Sequence, residues 1–280
     1  MFANELMMTG APEQAAKMLE QMQTLMNNAE HYPEAQASKD VDELLGYAET
    51  SAITRITPEF SLLTISGMLI PQYSWMEEYL DIISYDTIRA AVDILMKDEE
   101  VTKVITVVNS PGGYARGCGT THDILYGLAE AKEMSACFTE TTLASAGYWL
   151  GCAMPMVVGS KYALVGSIGS YTIISSQYRR AEEDGVDFFV ARSGDKKGIP
   201  SGVEPLTDLD KEAVTALNDA QADLFLESVS DSRSGKLTSD EWIAGETFPA
   251  SKGLELGLLD SVSSLPELIN VFKNIEFRRT

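Results

Sequence analysis

The sequence predicts an α/β protein built around a mostly parallel sheet. From about residue 58 onward, short apolar runs of strand length alternate with amphipathic stretches of helical length, and this alternation is typical of βαβ units. The run at 104–108 is apolar almost throughout, as expected of a strand buried on both faces. The chain has 280 residues, of which 45% are hydrophobic, so it is long enough to bury a large core.

The first 57 residues differ from the rest and predict a helical N-terminal extension. Apolar residues recur there at helical spacing, namely Ala15, Met18, Leu19, Met22, Leu25 and Met26. The pattern changes to alternating strands and helices near residue 58. We therefore divide the chain into a helical extension at 1–57 and an α/β domain at 58–280.

The α/β domain is predicted element by element from its hydrophobic period and its turn residues. The first half contains a strand at 62–69, a helix at 84–97, a strand at 104–108, a helix at 115–132 and a strand at 136–139. A helix starting at Ser145 follows, with strands near 156–158, 171–174 and 187–191. The chain then has a loop at 192–205, a long helix at 207–233 and short helices around Asp240, Lys252 and Pro266.

Composition excludes several classes of function. The net charge is −21, which disfavours binding to nucleic acid and to anionic membranes. The sequence contains no apolar run of about 18 residues and no signal peptide pattern at its start. We therefore expect a cytoplasmic protein that has no membrane anchor. The three cysteines have no CxxC spacing, and we expect them to be reduced, with neither a metal nor a cofactor in the protein.

Three short motifs each follow a predicted strand. They are NSPGG at 109–113, LASAGYW at 143–149 and GSIGS at 166–170. The glycines of the first motif leave backbone amides open to close approach, which suits the binding of an oxyanion. Taken alone, a Pro-Gly-Gly sequence indicates only a tight turn; its significance comes from the two motifs that follow it.

Ser145 lies between small residues at the predicted start of a helix. The simpler interpretation is a helix N-cap, but the same position favours negative charge on a nucleophilic hydroxyl. A serine needs a base to take its proton, and the chain has only His31 and His122. We expect His122 to lie in a helix beside the Pro-Gly-Gly turn rather than facing Ser145, as a surface or packing residue, so a Ser-His pair is disfavoured. Lys196 and Lys197, in the loop after a predicted strand, are the alternative bases.

The order NSPGG, then ASAGYW, then VGSIGS resembles the signal peptide peptidase A family and its phage relatives, the protein C type of capsid-maturation protease. The resemblance covers about residues 60–262 and includes the segment 248–260, which is similar to the family's A-x-x-x-G-L-x-D ending. It implies a Clp/crotonase-like fold, a ββα superhelix with a mostly parallel sheet.

The resemblance also assigns the catalytic groups. It implies that Ser145 is the nucleophile and that Lys197 is the base, with Lys196 as second choice because a proline follows sooner here than in the family pattern. Ser167 is expected to orient the lysine amine. The amides of Gly113 and Ala146 are the expected oxyanion hole, with Gly112 as an alternative donor.

Substrate is expected to bind as an added β-strand along the strand edges near 112–115 and 168–172. The residues expected to contact it are Gly112, Tyr114, Tyr148, Ile168 and Gly169.

The resemblance predicts a serine endopeptidase with a Ser-Lys dyad. Its role would be phage prohead maturation, in the host cytoplasm or prohead, or that of a soluble peptidase like signal peptide peptidase A. Protein or peptide substrates, scaffold or capsid proteins among them, are the expected partners, together with further copies of the chain. In some relatives the lysine comes from the neighbouring subunit. The alternatives are a crotonase-type acyl-CoA enzyme and a non-catalytic oligomeric assembly protein.

Overall fold

The computed structural model describes residues 7–9, 12–28 and 39–275. The strands, in chain order, are β1 (Met7–Thr9), β2 (Ile53–Thr57), β3 (Phe60–Ser66), β4 (Met68–Ile70), β5 (Ile82–Ser84), β6 (Lys103–Asn109), β7 (Gly112–Tyr114), β8 (Met134–Thr139), β9 (Thr142–Ala144), β10 (Val157–Gly159), β11 (Leu164–Gly166), β12 (Thr247–Pro249) and β13 (Ser261–Val262).

The helices are α1 (Pro12–Asn27), α2 (Val41–Ala52), α3 (Tyr85–Lys97), α4 (Cys118–Ala131), α5 (Ala146–Gly151), α6 (Tyr178–Glu183), α7 (Asp208–Ser232), α8 (Ala250–Glu255) and α9 (Leu265–Asn274). Short 3-10 turns lie at Trp75–Glu78 and Glu241–Ala244. None of the helices in the described ranges has the length and hydrophobicity needed to cross a bilayer.

The strands form one large and two small sheets. The large sheet has the order β13-β10-β8-β6-β3-β2, and all its pairs are parallel except the one between β2 and β3. The small sheets have the orders β1-β7-β4-β5 and β12-β11-β9. Within them, β1 and β12 are the antiparallel members. The predicted α/β class with a mainly parallel sheet is confirmed.

The large sheet is buried on both faces because its strands alternate apolar residues toward two cores. On β3, Leu63 and Ile65 belong to the main core beside α2, α3, α4 and α5. Phe60 and Leu62 point to the opposite face, where Leu268 of α9 packs. This two-sided burial explains why the central strands appear as continuous apolar runs in the sequence.

Residues 41–57 are integrated with the sheet. The strand β2 pairs with β3, and Ala48 and Ala52 of α2 are completely buried in the main core. The division at residue 57 stays a proposal, although these contacts join the second half of the predicted extension to the α/β core.

Two strand predictions in the middle of the chain are wrong. Residues 171–174 and 187–191 form no strand, although each run is rich in apolar residues. Phe189 is 93% exposed, so its segment lacks the partner that a buried strand needs. The predicted strand at 62–69 is in fact two strands, because Gly67 has a φ of +81° and interrupts the run.

The end of α9 is tied to the large sheet by a buried lysine. Lys103, the first residue of β6, donates to the carbonyl of Phe272 at 3.0 Å and to that of Ile275 at 2.6 Å. These bonds satisfy a cation that is only 6% exposed and cap carbonyls at the C-terminal end of the helix. The end of α9 therefore lies at the N-terminal end of β6.

Candidate active site

The three sequence motifs meet at one edge of the fold. Strands β9 and β11 run parallel with Ala144 opposite Gly166, so Ser145 and Ser167 each follow the end of one of two neighbouring strands. Ser110, from the first motif, bridges to Leu143 and accepts a hydrogen bond from the amide of Ala144 at 3.1 Å through its carbonyl. Ends of parallel strands commonly build binding sites in open α/β sheets.

Ser145 and Ser167 have strained backbones. Their φ values are +54° and +51°, and they are the non-glycine residues with positive φ in the described part of the chain. Such conformations cost about 1–3 kcal/mol each and cluster at functional sites. Hydrogen bonds hold both in place: the amide of Ser145 donates to Gly166 at 2.8 Å, and that of Ser167 donates to the Glu246 carbonyl at 2.6 Å.

The Ser145 hydroxyl is buried and unpaired. The residue is the N-cap of α5 and is 1% exposed, yet its Oγ has no hydrogen-bond partner among the described residues and makes no capping bond. An unsatisfied buried polar group costs about 1–3 kcal/mol, so it needs an explanation. The Ser145 oxygen is thus available for a hydrogen bond to a group outside these contacts.

The predicted oxyanion donors have different environments. The amide of Gly112 donates to Ser110 Oγ at 3.1 Å, which engages it within the turn. Ala146 is the first residue of α5, and the first amides of a helix have no intrahelical acceptor. At Gly113, a Cβ would lie 2.0 Å from the Leu69 carbonyl oxygen, so only glycine permits the pairing of β7 with β4. The engaged amide of Gly112 counts against it as a donor, and the assignment of the oxyanion hole to Gly113 and Ala146 stays a proposal.

The two candidate lysines are not hydrogen-bonded to Ser145 within this chain. Lys196 and Lys197 are both exposed in the loop that follows residue 191, where the amide of Lys197 closes a turn on the Gly194 carbonyl at 2.9 Å. His122 has partners elsewhere: its ring contacts Ser232 Oγ at 3.2 Å. It therefore packs between α4 and α7, as expected.

The residues predicted to contact substrate differ in how far they are buried. Tyr148 is fully buried and donates its hydroxyl to the Leu258 carbonyl at 2.8 Å, contacts that favour a packing role. Tyr114 and Ile168 are each 1% exposed. Gly169 is half-buried with a φ of +153°, and Gly112 lies on β7.

The cysteines are free and completely enclosed. Cys118, Cys137 and Cys152 are unpaired and buried, as predicted from the absence of CxxC spacing. Burial raises the pKa of each thiol, to about 12 for Cys152. They therefore stay protonated near neutral pH and act as small core side chains.

Sequence reasoning missed a residue that organises the site. The side-chain oxygen of Asn109 accepts hydrogen bonds from the amides of Glu140 and Thr141, at 3.0 and 2.9 Å. These bonds fix the turn between β8 and β9, and so the strand that leads into Ser145. The asparagine between the strand and the Ser-Pro turn was an available signal, since asparagine side chains commonly bond to backbone groups in turns.

Comparison with known proteins finds relatives that include two phage proteins. The chain is 25% identical over 233 residues to the head-tail preconnector protein GP5 of Enterobacteria phage P21, covering 83% of this chain and 46% of that protein. It is 24% identical over 216 residues to the capsid assembly protease C of Escherichia phage lambda, covering 76% of this chain and 48% of that protein. The chain thus spans about half the length of these relatives.

Among solved structures, a ClpP1 mutant from Listeria monocytogenes matches with 10% identity and a TM-score of 0.44, covering 74% of this chain and 92% of that one. The sequence profile of Peptidase family S49 matches residues 129–276. That range is more than half of the chain and contains both strained serines, with the strands that position them. The chain belongs to Peptidase family S49.

Proposed function

We propose that this chain is a serine endopeptidase with Ser145 as its nucleophile. The observation that carries the proposal is the unpaired, buried Ser145 hydroxyl, held at a positive φ where the three motifs converge. Membership of a peptidase family supports the same reaction class. A phage capsid-maturation role is supported by one relative described as a capsid assembly protease, and we propose protein substrates from capsid assembly.

The reaction follows from the roles proposed for the groups. A neutral lysine amine takes the Ser145 proton, and the serine oxygen attacks the carbonyl carbon of a peptide bond. The amides of Gly113 and Ala146 stabilise the tetrahedral anion. The lysinium then protonates the leaving amine as the C–N bond breaks, and water hydrolyses the acyl-enzyme to restore the serine.

We assign the base to Lys197, with Lys196 as second choice, and propose that it reaches Ser145 from a neighbouring subunit. Two observations support delivery from a second copy. Neither lysine bonds to Ser145 within one chain, and both are exposed. The same region exposes apolar side chains, since Phe188 is 54% and Phe189 is 93% exposed, and exposed apolar surface commonly marks an interface.

Single-residue variants test the dyad. Ser145→Ala is expected to lower kcat/KM on casein at least about a thousandfold, because only the amide donors and substrate binding remain. Lys197→Ala is expected to cause a comparable loss, and Lys196→Ala to cause little. Cleavage is measured at matched protein concentration. Two exposed positions on α7, Ser230→Ala and Lys211→Ala, serve as matched controls and should retain full activity.

Each outcome has a distinct meaning. If Lys196→Ala loses casein cleavage and Lys197→Ala retains it, the base is Lys196 and the Ser-Lys dyad still holds. Undiminished cleavage by Ser145→Ala would refute the proposed mechanism. In that case, hydrolysis of an acyl-CoA thioester by the same variant would support the crotonase-type alternative.

A further inference from the structure

The chain's own N-terminal segment lies along the strand at which substrate is expected. β1 pairs antiparallel with β7, with Met7 opposite Tyr114, Met8 opposite Gly113 and Thr9 opposite Gly112. β7 is paired with β4 on its other side. Met7–Thr9 therefore occupies the outer edge of β7, which would otherwise be free to pair with an extended peptide.

The direction of β1 matches that of a peptide substrate. Because the pairing is antiparallel, β1 runs from Tyr114 toward Gly112 and ends beside the turn that carries Ser110. The carbonyl of Ser110 bonds to the amide of Ala144, the residue before the proposed nucleophile. A peptide in this position presents its C-terminal end to the nucleophile, as the acyl part of a substrate must.

The segment is anchored by the helix that follows it. Met22 of α1 is 3% exposed and packs in a small core with Met68, Ile70, Met76, Ile82 and Tyr114. Tyr114 belongs to β7, so α1 and β1 both contact the same short strand or its side chains. This anchor keeps the segment near β7 at a high effective concentration.

We propose that the N-terminal segment Met7–Thr9 is a built-in competitor that occupies the substrate-binding edge of β7 and must leave before a protein substrate can pair there. The inference rests on the proposed peptidase function, since it names the regulation of that same site. Competition within one chain raises KM and leaves kcat unchanged. If the segment is docked about 90% of the time, the apparent affinity for substrate falls about tenfold.

Binding is tested separately from catalysis. All proteins carry Ser145→Ala to prevent turnover, and the probe is a fluorescein-labelled peptide with the sequence of residues 1–11, measured by fluorescence anisotropy. Deletion of residues 1–9 is expected to tighten binding about tenfold. Met8→Pro should do the same in the full chain, because proline removes an amide and disfavours pairing. Met8→Leu, which keeps the backbone amide, is the matched control and should bind like the parent.

Activity completes the test, with Ser145 restored. Deletion of residues 1–9 and Met8→Pro are expected to lower KM for labelled casein with little change in kcat. Equal peptide affinity in the full and shortened chains would overturn the inference. A shortened chain with lower thermal stability and an unchanged KM would also overturn it, because β1 would then only cover the outer edge of β7. Tighter peptide binding with no casein cleavage by any form would support the docking while refuting the peptidase proposal.

Discussion

At the scale of single residues, Arg233 joins the C-terminal segment to the core. It is completely buried, and its guanidinium donates to the Gly257 carbonyl at 2.8 and 3.0 Å and to the Asp260 carboxylate at 2.7 Å. Asp260 also accepts from the Val157 amide at 2.7 Å and pairs with Lys236 at 2.8 Å. The family-like ending in the sequence thus has a structural role, because its aspartate compensates a buried cation.

Asp260→Asn is expected to reduce the free energy of unfolding by about 3–5 kcal/mol at pH 7, because it leaves Arg233 as an uncompensated buried charge. Burial opposes ionisation of Asp260, but the hydrogen bonds from Arg233 and Lys236 outweigh it and lower its pKa. A lowered carboxyl pKa stabilises the fold above the unfolded-state value of about 4, and this stabilisation is lost as pH falls through the folded-state value.

Denaturant unfolding between pH 7 and pH 2.5 checks both statements. The difference in free energy of unfolding between the parent and Asp260→Asn should be largest at neutral pH and should decrease in the acid range. Glu255→Gln, a change at an exposed carboxylate nearby, is the control and should alter stability by less than about 0.5 kcal/mol. A constant difference across the whole range would contradict the role given to ionised Asp260.

At the scale of elements, the long helix α7 supports the short helix that begins after Ser145. Trp149 of α5 stacks on Phe225 of α7 with ring centroids 4.7 Å apart and planes 9° apart. Phe225 is completely buried. An α5 of only six residues has little stability of its own, so this stack helps to fix the position of the proposed nucleophile.

Phe225→Ala is expected to lower the free energy of unfolding by about 3–5 kcal/mol, because it removes a buried aromatic side chain and leaves a cavity. It should also lower kcat, since α5 loses its support. Leu217→Ala, on the same helix at a residue that is 65% exposed, is the matched control. Calorimetry and casein cleavage measure the two effects; unchanged stability in Phe225→Ala would contradict the packing argument.

Some helices and strands could be predicted from sequence patterns and others could not. The central strand at 103–109 was predictable because both of its faces are buried, and the helix at 208–232 because Thr207 and Asp210 form a capping box. The run at 187–191 was wrongly predicted as a strand, since apolar character alone does not reveal whether a partner strand exists. β1 could not be predicted, because three residues pair with a strand about a hundred residues away.

The same limit applies to the site. Ser145 could be proposed because its motif lies between small residues at the start of a helix, which is a local signal. The strained φ of Ser167 and the bonds to Asn109 depend on residues that are distant along the chain. The lysine could be assigned only through the family resemblance, because Lys196 and Lys197 are adjacent in an exposed loop whose position relative to Ser145 has no local sequence signal.

At the scale of the whole molecule, the proposed trans arrangement makes each active site a product of two chains. We propose that exposed apolar residues of the middle region form that contact, among them Ile173, Phe188 and Phe189. Activity should then depend on protein concentration, because separated chains lack a base.

Mixing two inactive variants tests this arrangement. If Ser145→Ala and Lys197→Ala subunits exchange at random, a site with an intact serine and an intact neighbouring lysine forms in about a quarter of cases in a closed ring. Casein cleavage by an equal mixture is therefore expected to recover to about a quarter of the parent rate. The separate variants, at the same total concentration, are the controls. No recovery after verified subunit exchange would place the lysine and serine in one chain.

The lysine tether on α9 has a practical consequence for handling the protein. Lys103 fixes the end of that helix at the start of β6, whereas the proposed nucleophile lies beyond the other end of the same strand. Seven residues of strand separate these ends by about 20 Å. A bead, chip or fluorophore coupled at the C-terminal end of α9 would thus lie at the opposite end of β6 from Ser145, and the immobilised protein should still accept large polypeptides.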